Sequence, residues 1–154
     1  MIVQHRPPAH WDVAPGTATV FLAGSIEMGA AEDWQARLVA ALPDGVVALN
    51  PRREDWDASW QQTITNPQFR SQVEWELDGL ERATTIAMWF APDTRAPITL
   101  LELGLSARSS KLVVGCPDGF WRKGNIEVVC ARFAIPLCHD WPSFVAAIHA
   151  RLAP

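Results

Sequence analysis

The sequence contains neither a run of basic residues nor a long apolar run, and both absences limit what the protein can bind. Its 13 lysines and arginines are outnumbered by 17 aspartates and glutamates, so the net charge at pH 7 is -4. Binders of nucleic acid or anionic membranes normally carry a basic patch, so neither partner is expected. No apolar segment approaches the roughly 18 residues of a membrane-spanning helix. Residues 1–8 also lack the apolar core of a signal peptide, and we expect a cytoplasmic protein.

Cysteine and histidine are few, and their spacing is unsuited to metal binding. The three cysteines form no Cys-x-x-Cys pair, and their odd number favours reduced thiols. The four histidines are scattered near the two ends of the chain. We assign these residues no role and expect neither a metal nor a cofactor. They are Cys116, Cys130, Cys138, His5, His10, His139 and His149.

Tyrosine is absent, whereas tryptophan occurs eight times and supplies much of the aromatic surface. Tryptophans within regular apolar patterns are predicted to be core residues. Those in loops either form an apolar wall for a planar ligand or cover a small core. The first group is Trp34, Trp75 and Trp89, and the second is Trp56, Trp60 and Trp121.

Short apolar runs rich in β-branched residues alternate with segments of helical spacing. This alternation predicts a parallel sheet with helices on both faces. We expect a single α/β domain over residues 1–154, with a flavodoxin-like three-layer fold, five strands in the order 2-1-3-4-5 and an irregular arm over residues 1–17. The predicted strands are 17–23, 46–49, 84–90, 112–115 and 135–137, and the predicted helices are 30–42, 68–82, 97–108, 125–133 and 142–152.

One acid, Glu102, lies in the middle of the otherwise mostly aliphatic segment Ala96–Leu105. The segment follows the third predicted strand after a short loop, an arrangement that places a helix at the carboxyl edge of the sheet. Ligands bind at that edge in open α/β folds. We therefore predict that Glu102 is the reactive residue. The neighbouring leucines are expected to pack the helix on the sheet, with Gly104 allowing close approach; they are Leu100, Leu101, Leu103 and Leu105.

Two other segments are predicted to reach the same edge. Gly24 and Ser25 follow the first strand, where Ser25 either contacts a ligand or only caps the next helix. In the helix before the third strand, Glu76 and Asp78 are two residues apart and point about 200° away from each other, so at most one faces the site. Glu74 and Asp78 share a face that is expected to be solvated, which favours Glu76 without excluding Asp78.

Three segments of the sequence resemble the nucleoside 2-deoxyribosyltransferase family and its relatives, the 2'-deoxynucleoside 5'-monophosphate N-glycosidases. They are Phe21–Ile26, Glu76–Leu80 and Leu101–Gly104, and the similarity extends from about Thr19 to Leu137. The resemblance implies an enzyme that transfers or hydrolyses at the N-glycosidic bond of a nucleoside or nucleotide. It also implies a homodimer or higher homo-oligomer with shared active sites, and no cofactor.

The resemblance assigns roles to individual residues. Glu102, in Glu-Leu-Gly, corresponds to the nucleophile at C1' of the sugar. Glu76, with Asp78 as the alternative, corresponds to an acid that contacts the base or sugar. Gly24 and Ser25 line the sugar or phosphate end.

Other residues are weaker candidates for ligand contact. Asn125 matches a residue that a neighbouring subunit contributes to the 5' end of the substrate. Trp56, Trp89 and Phe90 are expected to stack on the base and to exclude water, while Asp93 is either a ligand contact or a turn residue.

Two carboxyl groups suit this chemistry. A carboxylate below C1' can stabilise or bond to an oxocarbenium-like centre, and a protonated second carboxyl can assist departure of the base. The acid needs a raised pKa, which a water-poor aromatic pocket provides.

Two positions depart from the family pattern. Ala96 stands where transferases often carry a base-binding aspartate. Glu27 stands where phosphate-handling relatives often have an arginine, which disfavours a 5'-phosphate unless Arg52 or Arg53 compensates. The substitution at Ala96 keeps open an alternative, a non-catalytic sensor of a nucleotide-derived ligand.

Overall fold

The computed structural model describes residues 1–27 and 30–154 and has a six-stranded, entirely parallel sheet at its centre. The strands are β1 (Val3–His5), β2 (Thr19–Gly24), β3 (Val47–Leu49), β4 (Thr85–Trp89), β5 (Leu112–Gly115) and β6 (Leu137–Cys138). The helices are α1 (Trp34–Val39), α2 (Pro67–Arg82), α3 (Pro97–Ser106), α4 (Lys123–Phe133) and α5 (Trp141–Leu152). The α/β prediction is confirmed.

The strand order is β1-β3-β2-β4-β5-β6, so the prediction of five strands was one too few. The additional strand, β1, lies within the segment predicted to be irregular and pairs with β3, Val3 lying opposite Val47. Without β1, the remaining order matches the predicted 2-1-3-4-5. β1 was not predicted because Val3–His5 is short, contains no apolar run and forms a strand only by pairing with β3.

The central strands are buried on both faces, as expected when helices cover a parallel sheet on each side. Phe21 and Ala23 of β2 belong to one apolar cluster, with Trp75 of α2 and Leu103 of α3. Leu22 belongs to the other cluster, with residues of α1 and α5. Successive strand residues point to opposite faces, so each face has its own core.

The connections after β2 and β4 meet at one edge of the sheet. β2 and β4 are direct neighbours, with Gly24 opposite Trp89. The strand order runs outward in both directions from this pair, because β3 follows β2 on one side and β5 follows β4 on the other. This is the topological switch point, where open α/β sheets leave a crevice for ligands.

Candidate active site

Gly24 ends β2 at the floor of this crevice, where the backbone is tightly packed. A Cβ at this position would lie 2.3 Å from the carbonyl oxygen of Trp89 and 2.5 Å from the Trp34 ring, so a side chain cannot be accommodated without displacement. The next residue, Ser25, donates its N–H to the same Trp89 carbonyl at 3.1 Å. Glycine therefore allows β2, β4 and α1 to converge at the edge.

Glu102 lies on the inward face of α3. Its exposed fraction is 8%, and it shares the buried face with Thr99, Leu103 and Ser106. These positions are spaced three and four residues apart, so they form one stripe along the helix. Within the described part of the chain, no donor forms a hydrogen bond to the Glu102 carboxyl group.

Glu76 of α2 is held by its neighbour one turn earlier. The side-chain nitrogen of Gln72 donates to Glu76 Oε1 at 2.8 Å and to the carbonyl oxygen of Pro51 at 3.1 Å. The i,i+4 spacing places Gln72 and Glu76 on the same face of α2. Gln72 thereby connects Glu76 to the start of the loop after β3.

Burial raises the pKa of both acids. Desolvation raises the pKa of Glu102 to about 8, and the nearby charge of Glu76 adds to this increase. Desolvation also raises the pKa of Glu76 to about 7, although the hydrogen bond from Gln72 opposes the shift. Each charge disfavours the other, so the two carboxyls form a coupled pair that retains a proton at neutral pH.

Both carboxyls open into a cavity of about 720 Å³, which is a volume suited to a small organic ligand. Its walls come from the end of β2 and the segment after it, the loop after β3, and the facing sides of α2 and α3. Most of the lining is apolar. The lining residues are Gly24, Ile26, Glu27, Pro51, Arg53, Trp56, Gln62, Phe69, Gln72, Val73, Glu76, Ala96, Pro97, Ile98, Thr99, Leu101 and Glu102.

The loop after β3 supplies an aromatic wall. Trp56 packs edge-on against Trp60, with ring centroids 5.2 Å apart. The Arg53 guanidinium lies over the Trp60 ring at 4.8 Å and forms two hydrogen bonds to Asp55, at 2.6 and 3.2 Å. Asp55 therefore already balances the charge of Arg53 beside the cavity.

Arg52, the other arginine in this loop, has a structural role. Its guanidinium donates to the backbone carbonyls of Ala31 and Glu32 and to the side chain of Gln35. Those contacts tie the loop to the segment before α1. Of the two arginines, only Arg53 lines the cavity.

Glu27 places a third carboxylate at the cavity wall. Its Oε1 accepts hydrogen bonds from the backbone N–H of Ala96 at 2.9 Å and of Arg95 at 3.2 Å, just before α3. Ala96, at φ 44°, has no side chain that could cap α3, and the Glu27 carboxylate occupies donors at this helix start instead. An internal anion thus lies where helix termini commonly attract one.

Four of the predicted site residues line the cavity together: Glu102, Glu76, Gly24 and Trp56. The other six lie outside it, namely Asp78, Ser25, Trp89, Phe90, Asp93 and Asn125.

Asp78 and Asn125 are exposed, on α2 and in the first turn of α4 respectively. Asp93 is an exposed turn residue with φ 61°. Ser25 is buried, where its hydroxyl pairs with Thr94 Oγ1 at 2.7 Å and accepts the N–H of Ala91. It therefore fastens the end of β2 to the loop before α3.

The two strand-end aromatics lie beneath helices. Trp89 packs against Trp141 and Phe144 of α5, with ring centroids 5.1 Å apart in both pairs. Phe90 packs against Phe120 on the opposite face, at 4.9 Å. Alternation along the chain sends the two rings to opposite faces of the sheet, and neither lines the cavity.

Several cavity residues were not singled out from the sequence. Phe69, Gln72 and Val73 come from the same side of α2 as Glu76, and their spacing of three, four and seven residues from Glu76 is a signal that could have identified them. Glu27 and Arg53 were noted, but the backbone contacts of Glu27 depend on how the loops fold.

α3 exposes apolar side chains, contrary to the expected packing of its leucines. Leu103 is buried, but Ile98, Leu101 and Leu105 are 57%, 59% and 61% exposed. A Cβ added at Gly104 would have nothing within 4 Å, so close approach does not require glycine there. The inward face instead carries Glu102, because that face borders the cavity.

Within residues 1–27 and 30–154, no group of three or more His, Cys, Asp or Glu side chains is arranged to hold a metal ion. No helix in the same described ranges is long and apolar enough to cross a membrane.

The parallel α/β sheet thus carries two acids with raised pKa values at its switch point, buried Glu102 and half-buried Glu76. The family model for nucleoside 2-deoxyribosyltransferase-like proteins matches residues 17–120, roughly two thirds of the chain. The chain belongs to this family, and the resemblance seen in its motifs is confirmed.

Structural comparison supports the fold. A crystal structure of a conserved protein from Enterococcus faecalis V583 is similar with a TM-score of 0.62, at 11% sequence identity, over 88% of this chain and 99% of that one. At this identity the likeness concerns the fold alone. No curated protein matches the sequence.

Proposed function

We propose that the protein transfers or hydrolyses at the N-glycosidic bond of a 2'-deoxynucleoside or related nucleoside, with Glu102 as nucleophile and Glu76 as its acid/base partner. The observation that carries the proposal is a pair of carboxyls, buried Glu102 and half-buried Glu76, opening into one cavity in a chain of this family. Two acids of this kind, one ionised and one protonated, are what a retaining glycosyl transfer requires.

The reaction proceeds in two steps. The ionised Glu102 carboxylate bonds to C1' as the C1'–N bond breaks, and the bonding electrons leave with the base. Protonated Glu76 gives its proton to the departing base. In the second step water or another base attacks C1', the bond to Glu102 breaks, and Glu76 takes back a proton.

Desolvation keeps one proton on the pair of acids at neutral pH. Glu102 has the higher pKa, so the reactive form is the one in which this proton has moved to Glu76 and Glu102 is ionised. The apolar lining and the Trp56 ring supply a surface on which a flat base can stack.

The charge distribution favours a nucleoside over its 5'-monophosphate. Glu27 fills the backbone donors before α3 with its own carboxylate, and Asp55 already neutralises Arg53. A phosphate in the cavity would lie near the carboxyl groups of Glu27, Glu76 and Glu102, while Arg53 is already paired with Asp55. This arrangement repels a phosphate.

The proposal is tested by incubating the protein with 2'-deoxynucleosides, ribonucleosides and their 5'-monophosphates, with and without a second free base. Base release or exchange is followed by chromatography. Turnover by the wild type that disappears in Glu102→Gln supports the proposal. Binding without turnover throughout the panel would instead identify a non-catalytic sensor.

The pH dependence of activity is expected to be bell-shaped. Below about pH 7 both carboxyls are protonated and no nucleophile exists, and above about pH 8 both ionise and the acid is lost. Glu76→Gln should lower kcat by about 10²-fold or more and remove the alkaline limb. The measurement is kcat/KM from about pH 5.5 to about pH 9.5, a range that brackets both pKa values.

The matched control is Asp78→Asn, an exposed acid two residues further along α2. We expect it to retain both limbs. If the alkaline limb persists in Glu76→Gln and vanishes in Asp78→Asn, the acid role belongs to Asp78 instead.

We also propose that the protein self-associates through the exposed apolar face of α3, formed by Ile98, Leu101 and Leu105. Ile98 and Leu101 both line the cavity and are largely exposed, so this face is continuous with the site. A second copy is the proposed occupant because Asn125, which the family resemblance assigns to a neighbouring subunit's site, lies outside its own chain's cavity.

Leu105→Glu should reduce the assembly to monomers, because a charge within an apolar interface loses its hydration without gaining a partner. Leu105 does not line the cavity, so the part of the site that this chain supplies is left unchanged. Size-exclusion chromatography with light scattering measures the mass. Val3→Glu, a comparably exposed apolar position on β1 at the opposite end of the strands from the cavity, is the control. A wild type that is monomeric at all concentrations would contradict the proposal.

A further inference from the structure

Gln72 combines deep burial with an unused hydrogen-bonding atom. The residue is 5% exposed and lines the cavity. Its Oε1 is buried and has no hydrogen-bond donor among the described residues. An unpaired buried amide oxygen is costly, and native proteins seldom keep one without a reason.

The orientation of the Gln72 amide is determined by its neighbours. Its nitrogen donates to the Pro51 carbonyl oxygen, which can only accept, and to Glu76 Oε1. Exchanging the amide oxygen and nitrogen would place two oxygens against each other at Pro51. Both N–H groups are therefore in use, and Oε1 can serve only as an acceptor.

A second orphaned group belongs to the same cavity. The indole Nε1 of Trp56 is buried without a hydrogen-bond acceptor in the described part of the chain. This group can only donate. Two residues that line the cavity thus carry one unmet acceptor and one unmet donor, both buried from solvent, on the loop and helix that face α3.

We infer that Gln72 is a specificity-determining residue whose Oε1 accepts a hydrogen bond from an N–H group on the heterocyclic base of the ligand. The inference rests on the proposed function and specifies the ligand as a base bearing an exocyclic amino group or a ring N–H. Trp56 Nε1 donates to an acceptor on the same ligand. Both orphaned atoms are then satisfied, which an apolar base lacking such groups cannot achieve.

The same contacts make Gln72 a positioning residue for Glu76. Its N–H occupies Oε1 of Glu76, so the proton of the carboxylic acid resides on Oε2. Ligand recognition and the orientation of the acid therefore depend on a single amide.

The test measures binding to Glu102→Gln protein, in which turnover does not consume the ligand. Calorimetry compares matched ligands that differ by one donor: 2'-deoxyadenosine with purine 2'-deoxyriboside, 2'-deoxycytidine with its 4-unsubstituted pyrimidinone analogue, and thymidine with N3-methylthymidine. We expect at least one donor-bearing member to bind about tenfold or more tightly than its partner. Adding Gln72→Met should remove that preference.

The control is Gln68→Met, the same substitution one turn earlier in α2 at an exposed position outside the cavity. It should retain the preference. If Gln72 were only structural, Gln72→Met would weaken both members of a pair by the same factor, which would overturn the inference.

Two outcomes do not depend on the folding of the variant. Equal affinity for both members of every pair, with Gln72 present and wild-type turnover intact, overturns the inference and leaves the proposed function standing. No binding and no turnover of any nucleoside overturns the proposed function as well. Gln72→Met removes the N–H that lowers the pKa of Glu76. A shift of the alkaline limb of the pH profile to higher pH in this variant would therefore support the positioning role.

Discussion

Glu102→Gln is expected to lower kcat/KM for nucleoside cleavage by about 10⁴-fold or more, because the amide cannot form the bond to C1'. The two side chains have nearly the same shape, so the cavity and the packing of α3 are retained. The measurement is single-turnover base release at saturating enzyme. Residual activity would come only from binding and from the remaining acid.

Glu74→Gln is the matched control for this loss. It makes the same chemical change on an exposed surface of α2, where the Glu74 carboxylate pairs with Arg70 at 2.8 Å. It should retain wild-type activity. A Glu102→Gln protein that is folded and keeps more than a tenth of wild-type kcat/KM would exclude Glu102 as the nucleophile.

The same substitution should stabilise the protein at alkaline pH, by about 2 kcal/mol or more at about pH 8.5. Burial raises the folded-state pKa of Glu102 from 4.5 to about 8, so between these values the folded state binds more protons than the unfolded state. Wild-type stability therefore falls as pH rises through this window. Glutamine is neutral throughout and removes this loss.

Thermal unfolding at about pH 5 and at about pH 8.5 measures the effect. At the lower pH wild type and Glu102→Gln should nearly coincide, whereas at the higher pH the variant should melt roughly 5 °C above wild type. Glu74→Gln should show no such divergence. A Glu102→Gln protein less stable than wild type at the higher pH would mean that the ionised carboxylate is well solvated or paired.

The expected loss of activity and gain of stability in Glu102→Gln mean that the Glu102 carboxyl group is required for activity and lowers the stability of the folded state. Within the described part of the chain, neither buried Glu102 nor half-buried Glu76 forms an ion pair, so this pair of acids weakens the folded state at neutral and alkaline pH. Such costs are commonly tolerated at functional sites. The most active form of the protein is thus expected to be less stable than its inactive variant.

Much of the fold could be predicted from local pattern. β2, β4 and β5 are continuous apolar runs, as strands buried on both faces must be. β1 could not be predicted, because Val3–His5 carries no apolar run and exists through its pairing with β3. The prediction for the leucines of α3 holds for Leu100 and Leu103, which pack on the core, but was wrong for the exposed Leu101 and Leu105, since it assumed that every leucine of an apolar helix turns inward.

The site was predictable to the extent that it depends on motifs. Glu102 and Glu76 came from a Glu-Leu-Gly tripeptide and a helical acid, and both line the cavity. The contacts of Gln72 and Glu27 depend on how side chains meet across elements that are 21 and 69 residues apart along the chain. Periodicity carries no information about such contacts.

The central claim is tested most directly by mass spectrometry of protein quenched in acid during turnover of a 2'-deoxynucleoside. We expect an adduct of one deoxyribosyl group on the peptide that contains Glu102, absent from Glu102→Gln and released when a second base is added before the quench. Base release by the wild type with no adduct on any acid, or an adduct on another residue, would contradict it.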